Sequence, residues 1–409
     1  MLLLALLVAW SVALTLGFPA SGMVSSDQHA PTSPVSLPIT KRVQHFHIAN
    51  STIVDFHKFS GHLAHLHTKY SRAFTNFRTN TGLAHPLQSR ALTPLEKEQL
   101  VRATGSVSLT DFQDFIWVGT IAFGQPAQSM LVDFDTGSAD TLVNPGAYRP
   151  EASSTSVRTS RRFSTAYGDG TSADGFVYRD TVQIGGLRAP SAAIGLADLQ
   201  FLDPTREGGN QGISGMAFQN ISAFNLPGFF DSLRSAGVLS NPIFTFRLAE
   251  TGSSLTLGGY NRADISGSVT WLPVDPSNGF WVVPGQVNGF GPIASTIIDT
   301  GTTAIVAPVA DALTLFRNLG MQVRRQSQQV YGAFQCSSPP AVTFTYGGKR
   351  VTLTGSSQTL GTDTDGSCIS TIVGQDGVGA WVVGDAFLRN TISIFDKGRN
   401  RFGLATPAR

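Results

Sequence analysis

Two short stretches put a carboxylate where an apolar strand gives way to a turn. "LVDFDTGSADTLV" (residues 131–143) sets Asp135 before Thr136, Gly137 and Ser138, and "STIIDTGTTAIVA" (residues 295–307) sets Asp299 before Thr300, Gly301 and Thr302. At ordinary residue frequencies an Asp-Thr-Gly arises by chance only about 0.1 times in a chain of this length, so two copies behind matching apolar lead-ins need a joint explanation. One reading is structural: Asp, Thr and Gly all suit an Asx-type turn at a strand end. The other is chemical. Two carboxylates brought face to face share one proton, because like charges at hydrogen-bonding distance are not both ionised cheaply. A water between them then has a base to take its proton and an acid to hydrogen-bond the oxyanion that forms when it attacks a carbonyl carbon.

Other chemistries are thinned out by composition. All eight histidines (His29, His45, His47, His57, His62, His65, His67 and His85) lie in the first 85 residues, and Cys336 and Cys368 are the only cysteines. The later chain therefore assembles neither a zinc site nor a Ser-His or Cys-His nucleophile. No metal and no cofactor are expected, and nothing points to nucleic acid.

The acids must be positioned by a folded scaffold, and 409 residues at 41% hydrophobic and 14% charged suffice for two or three domains. The apolar "MLLLALLVAWSVALTLG" at the start fits a secretory signal peptide over residues 1–20, with a retained membrane anchor as the other reading. No later segment has 18 consecutive apolar residues, so the mature form is expected outside the membrane. Residues 21–104 are irregular and Pro-rich at first, then basic and His-rich, with "HKFSGHLAHLHTKYSR" of amphipathic helical character. They carry 9 Lys and Arg against 4 Asp and Glu, while residues 105–409 carry 20 against 23, so the two parts have opposite net charge. From about residue 105 the text turns to short β-branched runs punctuated by Gly, Asp and Pro, with short helices expected at "PGFFDSLRSAG" and "PVADALTLFRNLG". A second marker repeats with the acids: Gly215 in "GISGMAF" follows Asp135 by eighty residues, and Gly384 in "WVVGDAF" follows Asp299 by 85. Two lobes of similar plan follow, parted near residues 258–269.

The body resembles the pepsin-like aspartic endopeptidases, with a closer likeness to fungal secreted enzymes. The likeness spans roughly residues 106–406 and rests on "FDTGSAD", "IIDTGTT", "YGDGTSADGFVYRDTVQIGG", "GISGMAF", "SSLTLGGYN", "GSCIS", "WVVGDAFLRNTISIFD" and "RFGLA" in the family's order. It implies a mainly β, bilobal acid-protease fold: an N-terminal lobe over 105–265, a C-terminal lobe over 266–409, a cleft between them, and residues 21–104 as a propeptide. Asp135 and Asp299 match the family's catalytic pair; Thr136, Gly137, Ser138, Thr300, Gly301 and Thr302 match its supporting loops. Tyr167, Gly168 and Asp169 fall where the family's substrate-covering flap lies. The family's Trp seven residues after the first acid is replaced here by Leu142, which cannot hydrogen-bond a flap tyrosine.

By the same resemblance, Cys336 and Cys368 match the C-terminal-lobe disulfide, and in an exported chain they are expected to be joined, two buried free thiols being the other reading. The propeptide is the expected intramolecular inhibitor of a zymogen, and Lys69-Tyr70 resembles the pair that blocks the acids in some zymogens, although it lies farther from Asp135 than usual. Acid-triggered self-cleavage is expected around residues 90–110. The histidines either are solvated or sit neutral at the contact and open it on charging. Sequons at Asn50 and Asn220 are glycosylation candidates. The expected product is a secreted, monomeric endopeptidase cleaving proteins and peptides at acid pH, with a vacuole as the other destination. Two rivals remain: a binding or inhibitor protein that kept the fold and lost catalysis, and a glycosidase, whose carboxylates would stand about 5 Å or more apart.

Overall fold

The computed structural model describes residues 33–43, 46–48, 51–89, 115–166, 172–202, 209–326 and 328–408. The expected signal peptide, Asn50, Tyr167, Gly168, Asp169 and the expected maturation region around 90–110 lie outside them.

Short β-branched and aromatic runs between turn residues become strands, and the described strands form three sheets. Both acid loops are built on the same wiring. In the N-terminal lobe, Gln128–Asp135 runs parallel to Gly212–Gly215, which runs antiparallel to Thr141–Val143, which is parallel to Leu187–Ala197. In the C-terminal lobe, Gly291–Ile298 runs parallel to Trp381–Val383, which is antiparallel to Ile305–Ala307, which is parallel to Cys368–Gly374. The repeat seen in sequence is thus a repeat of strand order, and each lobe carries its acid between two central strands.

A third, six-stranded sheet joins the lobes. Its order is Val35–Pro38, Ser254–Leu257, Ile243–Arg247, Ile392–Asp396, Arg401–Pro407, Ile265–Pro273, so it draws on both halves and on the N-terminal segment. Phe244 stacks on its strand partner Phe395 within this sheet with ring centroids 4.8 Å apart, and Trp281, from outside the sheet, meets Phe395 edge-on at 5.0 Å.

The two short helices form as expected at Phe229–Ser235 and Val309–Asn318, each followed by a glycine with positive φ, Gly237 (69°) and Gly320 (70°). Within residues 21–104, the irregular reading is corrected for the part described. Val35–Pro38 and Thr40–Val43 each add a strand to a sheet edge, pairing with Ser254–Leu257 and Phe115–Phe123. A sheet edge offers unpaired N–H and C=O groups to any short extended segment, so no alternating side-chain pattern was needed. The amphipathic stretch is a helix, Phe56–Thr81, longer than "HKFSGHLAHLHTKYSR" by nine residues at its C-terminal end. Asp55 caps it by accepting from the N–H groups of His57 and Lys58, and Gly82 (φ 77°) ends it. Its buried stripe of Phe59, Leu63, Leu66, Tyr70, Phe74 and Phe77 packs with Phe280, Tyr331, Ile369 and Val382 of the C-terminal lobe.

Candidate active site

Asp135 is the last residue of its strand and Asp299 lies one residue beyond Ile298, the end of the matching strand. Both are buried, at 3% and 0% exposure. The Asp299 N–H donates to the Val383 carbonyl (3.1 Å), and the Asp135 carbonyl accepts from the Met216 N–H (2.8 Å). The acids are therefore held by the central strands rather than by free loops.

The threonines lock the two loops to each other. Thr136 N–H donates to Thr300 Oγ1 and Thr300 N–H to Thr136 Oγ1, both at 3.0 Å. Each hydroxyl then donates across the interface, Thr136 to the Ile298 carbonyl (2.8 Å) and Thr300 to the Phe134 carbonyl (2.7 Å). A hydroxyl both accepts and donates, so one residue type at two symmetric positions completes a closed set of four buried bonds.

The glycines make room for the opposing acid. A Cβ on Gly137 would stand 2.5 Å from Asp299 Oδ1, and one on Gly301 would collide with Asp135 Oδ1. Their N–H groups hold the acid of their own loop: Gly137 donates to Asp135 Oδ1 (2.8 Å) and Gly301 to Asp299 Oδ1 (3.0 Å). Gly215 and Gly384 do the same service one layer back. Their N–H groups donate to the carbonyls of Asp140 (2.9 Å) and Ala304 (3.1 Å), each five residues past an acid, and a side chain on either would strike that backbone.

Lys69 bridges the two carboxylates. Its Nζ donates to Asp135 Oδ1 (2.7 Å) and to both oxygens of Asp299 (3.0 Å each), while Tyr70 OH donates to Asp299 Oδ2 (2.8 Å). Burial opposes the charge on Lys69, but the two carboxylates outweigh it and hold the ammonium protonated. The acids are not equivalent. Burial pushes Asp135 up, Lys69 pulls against it, and the Asp299 charge adds to the rise. At Asp299 burial also pushes upward but is outweighed by Lys69 and by hydrogen bonds from Asp135, Thr302 and Tyr70, which hold it down to about 2. Part of the difference is Thr302, whose hydroxyl donates to Asp299 Oδ2 at 2.6 Å; Ser138, at the matching place, has a buried hydroxyl without a hydrogen-bond partner among the described residues.

Around this centre, Asp140 accepts from the Ser222 hydroxyl (2.5 Å) and the Ala223 N–H (2.6 Å), fixing the loop over which the helix lies; burial raises that acid to about 6 against those bonds. Asn76 and Asn80 reach from the helix to the carbonyls of Ile221, Asn220 and Ser222. Asn220 itself, the second sequon, donates its side-chain amide to the Ser277 carbonyl (2.9 Å). Leu142 packs with Phe163, Val177 and Phe224 at the base of the Val157–Ala166 and Ser172–Ile184 hairpin, so the place of an indole is taken by an apolar contact. That hairpin pairs as far as Ala166 opposite Ser172, and the expected flap residues lie outside the described residues. Cys336 and Cys368 are joined, with S–S 2.02 Å.

Sequence reasoning missed two groups. Asp385, fully buried behind the second loop, donates its N–H to the Thr302 carbonyl (2.8 Å) and accepts from Trp117 Nε1 (2.8 Å); burial drives it well above the usual carboxylate range. Its signal was its place beside Gly384. Gln329, Tyr331 and Gln375 form a buried polar set under the helix, and single glutamines in strand text carry no such signal.

Two like-wired β lobes joined at paired acid loops define a pepsin-like aspartic endopeptidase. A model of the family described as eukaryotic aspartyl protease matches residues 116–407, and the chain belongs to that family. It is 36% identical over 402 residues to a protein named Secreted aspartyl protease 1 from Malassezia globosa, covering 97% of this chain and 98% of that one. It is also 37% identical to an Aspartic protease of Phaffia rhodozyma (74% of this chain, 80% of that one) and 30% identical to Pepsin A of Sus scrofa (74% and 84%).

Proposed function

We propose that this chain is the secreted precursor of an acid-acting endopeptidase whose catalytic residues are Asp135 and Asp299. The observation that carries the assignment is that both acids meet one shared cation inside a single threonine-locked frame. Once Lys69 leaves, the pair is left with one proton between two buried acids and titrates as a unit. Water takes the place of the ammonium. One carboxylate accepts its proton as the oxygen attacks the peptide carbonyl, and the protonated partner donates to the developing oxyanion. The carboxyl that took the water's proton then gives it to the amide nitrogen as the C–N bond breaks, and its partner regains its proton from the collapsing tetrahedral hydroxyl, releasing the amine and the new carboxylic acid.

The N-terminal segment is the inhibitor in this reading: its helix buries the acids and its Lys69 and Tyr70 occupy their hydrogen-bonding sites. Residues 21–104, 105–265 and 266–409 are then propeptide, first lobe and second lobe. Tyr167, Gly168 and Asp169 are the substrate-covering residues in this reading, and Asn220 is the glycosylation candidate of the mature chain. Export is supported by the apolar leader and by a relative named as secreted along nearly the whole length.

The test is hydrolysis of a denatured protein at pH 3 to 5 after acid activation. Asp135→Asn and Asp299→Asn should each lower kcat/KM by about 10³-fold or more. Retention of a tenth of the activity by either would remove that residue from the chemistry.

A further inference from the structure

The Val157–Ala166 and Ser172–Ile184 hairpin reaches past the sheet that carries it. Its pairing with Leu187–Ala197 ends at Gly175 opposite Ala197, whereas its own two strands stay paired as far as Ala166 opposite Ser172. Phe163, opposite Gly175, sits where that backing ends, and it is 3% exposed. Its ring meets Phe224 with centroids 5.5 Å apart, and Leu142 packs into the same cluster. Gly195 makes the room for this convergence: a Cβ there would stand 2.5 Å from the Phe224 ring, 2.8 Å from Leu142 and 2.9 Å from Phe163.

Phe224 is held on both sides of its backbone. Asp140, five residues past Asp135, accepts from the Ala223 N–H (2.6 Å) and from the Ser222 hydroxyl (2.5 Å), and Ser222 Oγ in turn accepts the Phe224 N–H (3.1 Å). The Phe224 carbonyl accepts from Arg161 Nη1 (2.8 Å). Arg161 and Phe163 lie two apart on the outer strand of the hairpin, so one strand grips Phe224 by its carbonyl and by its ring. The pro-helix reaches this turn at the carbonyls of Asn220, Ile221 and Ser222, short of Phe224. A continuous train of contacts therefore runs from the Asp135 loop through residues 222–224 to the place where the hairpin leaves its sheet.

Resting on the endopeptidase reading, we propose that Asp140, Phe224 and Arg161 are positioning residues that couple the acid loop to the hairpin, setting where the hairpin stands relative to the acids and so how tightly a peptide is held there. The chemistry of the first link is specific. Burial raises the Asp140 carboxyl to about 6, against the bonds from Ser222, Ala223 and Phe224, so at pH 4 it carries a proton. One oxygen then accepts the Ala223 N–H while the hydroxyl donates to Ser222 Oγ. An asparagine reproduces both bonds and a leucine neither.

Two measurements on wild type, Arg161→Met, Asp140→Leu and Asp140→Asn test the coupling. Hydrogen–deuterium exchange of the precursor should be about tenfold faster over residues 159–166 and 172–176 in Arg161→Met and Asp140→Leu, with Asp140→Asn matching wild type. Exchange over residues 329–334 of the second lobe should be the same in all four. After acid activation, kcat and KM at pH 4 are taken per active site, counted by titration with a transition-state-mimicking hydroxyl peptide. Arg161→Met and Asp140→Leu should raise KM about tenfold with kcat within about threefold of wild type, and Asp140→Asn should keep both constants. A purely structural role would lower the number of active sites and leave both constants alone, which overturns the positioning role. Exchange in the hairpin unchanged in both Arg161→Met and Asp140→Leu, or Asp140→Asn as impaired as Asp140→Leu, overturns the coupling. Should Asp140→Leu fail to fold, Arg161→Met, at an exposed position, decides both measurements. Failure of wild type to cleave any peptide would instead overturn the endopeptidase reading, and the exchange result would still decide the coupling.

Discussion

Thr136 and Thr300 show how much structure a single hydroxyl can hold. Replacing Thr136 by Val keeps shape and branching but strips the Thr300 N–H of its acceptor and the Ile298 carbonyl of its donor, both deep in the interface. Leaving two buried backbone groups unpaired should cost about 2 to 4 kcal/mol. Thr300→Val should cost a similar amount through the Thr136 N–H and the Phe134 carbonyl. Because the two hydroxyls belong to one closed set, the double variant should lose less than the sum of the singles in urea unfolding. Strictly additive losses, or a single loss under half a kcal/mol, would show that the loops are held by other contacts. The acids, threonines and glycines were legible in sequence because each is a demanding residue type at a repeated spacing. Gln329 and Gln375 were not, since a lone polar residue in a β run reads the same whether it faces water or a buried partner. Lys69-Tyr70 was visible only through resemblance, and the fold supplies what spacing could not: a 26-residue helix that carries Lys69 to both acids.

At the scale of the element, buried histidines tie the packing of the Phe56–Thr81 helix and the segment after it to pH. The existence of the helix followed from the apolar stripe; its length did not, because "AFTNFRTNT" is rich in Thr and Asn, which favour caps and turns over helix interiors. Burial lowers His65 to about 3, with the charges of Arg72, His62 and Lys69 acting in the same direction. An imidazole in water titrates near about 6.5. The docked helix therefore has its full stability above that pH and loses it progressively as pH falls from about 6.5 towards 3, by about 3 kcal/mol at pH 4. His85 adds to the trend. It accepts from the Leu87 N–H through Nδ1 and so donates through Nε2 to the Asn278 carbonyl, a neutral ring among Phe74, Phe77 and Phe280 whose burial lowers its affinity for a second proton. Asp299, held down to about 2, loses its contribution only in much stronger acid, and Asp135, shifted upward, gains a proton more readily in the docked state and opposes release. Between pH 4 and 6, His65 and His85 are thus the groups whose protonation works against the docked helix. His65→Gln, which never charges, should move the midpoint for appearance of the mature chain down by about one pH unit. A midpoint equal to wild type, followed on gels across pH 3 to 7, would rule His65 out as a trigger.

For the whole molecule, the repeat announced two lobes but not how they are joined. The six-stranded sheet takes strands from residues 35–38, 243–257, 265–273 and 392–407, and partners so far apart leave no periodic trace in the text. The joint has a polar centre that sequence also concealed. Lys397, 4% exposed at the end of the Ile392–Asp396 strand, donates to the Ala217 carbonyl (2.8 Å) and to Asp231 Oδ2 (2.7 Å) of the other half, beneath the ring of Phe218 at 5.3 Å. A buried ion pair contributes little over a well-packed apolar replacement, but removing one partner leaves the other uncompensated. Lys397→Met should therefore cost about 2 to 4 kcal/mol, with the partial exposure of Asp231 keeping the loss towards the lower end. Asp231→Leu alone strands the ammonium and should also destabilise. Combining the two exchanges the ion pair for apolar contact at the seam between the lobes, and should recover more than 1 kcal/mol relative to the sum of the single losses. Urea unfolding of the four proteins measures that coupling directly, and additive losses would mean that Lys397 stabilises its own lobe rather than the joint.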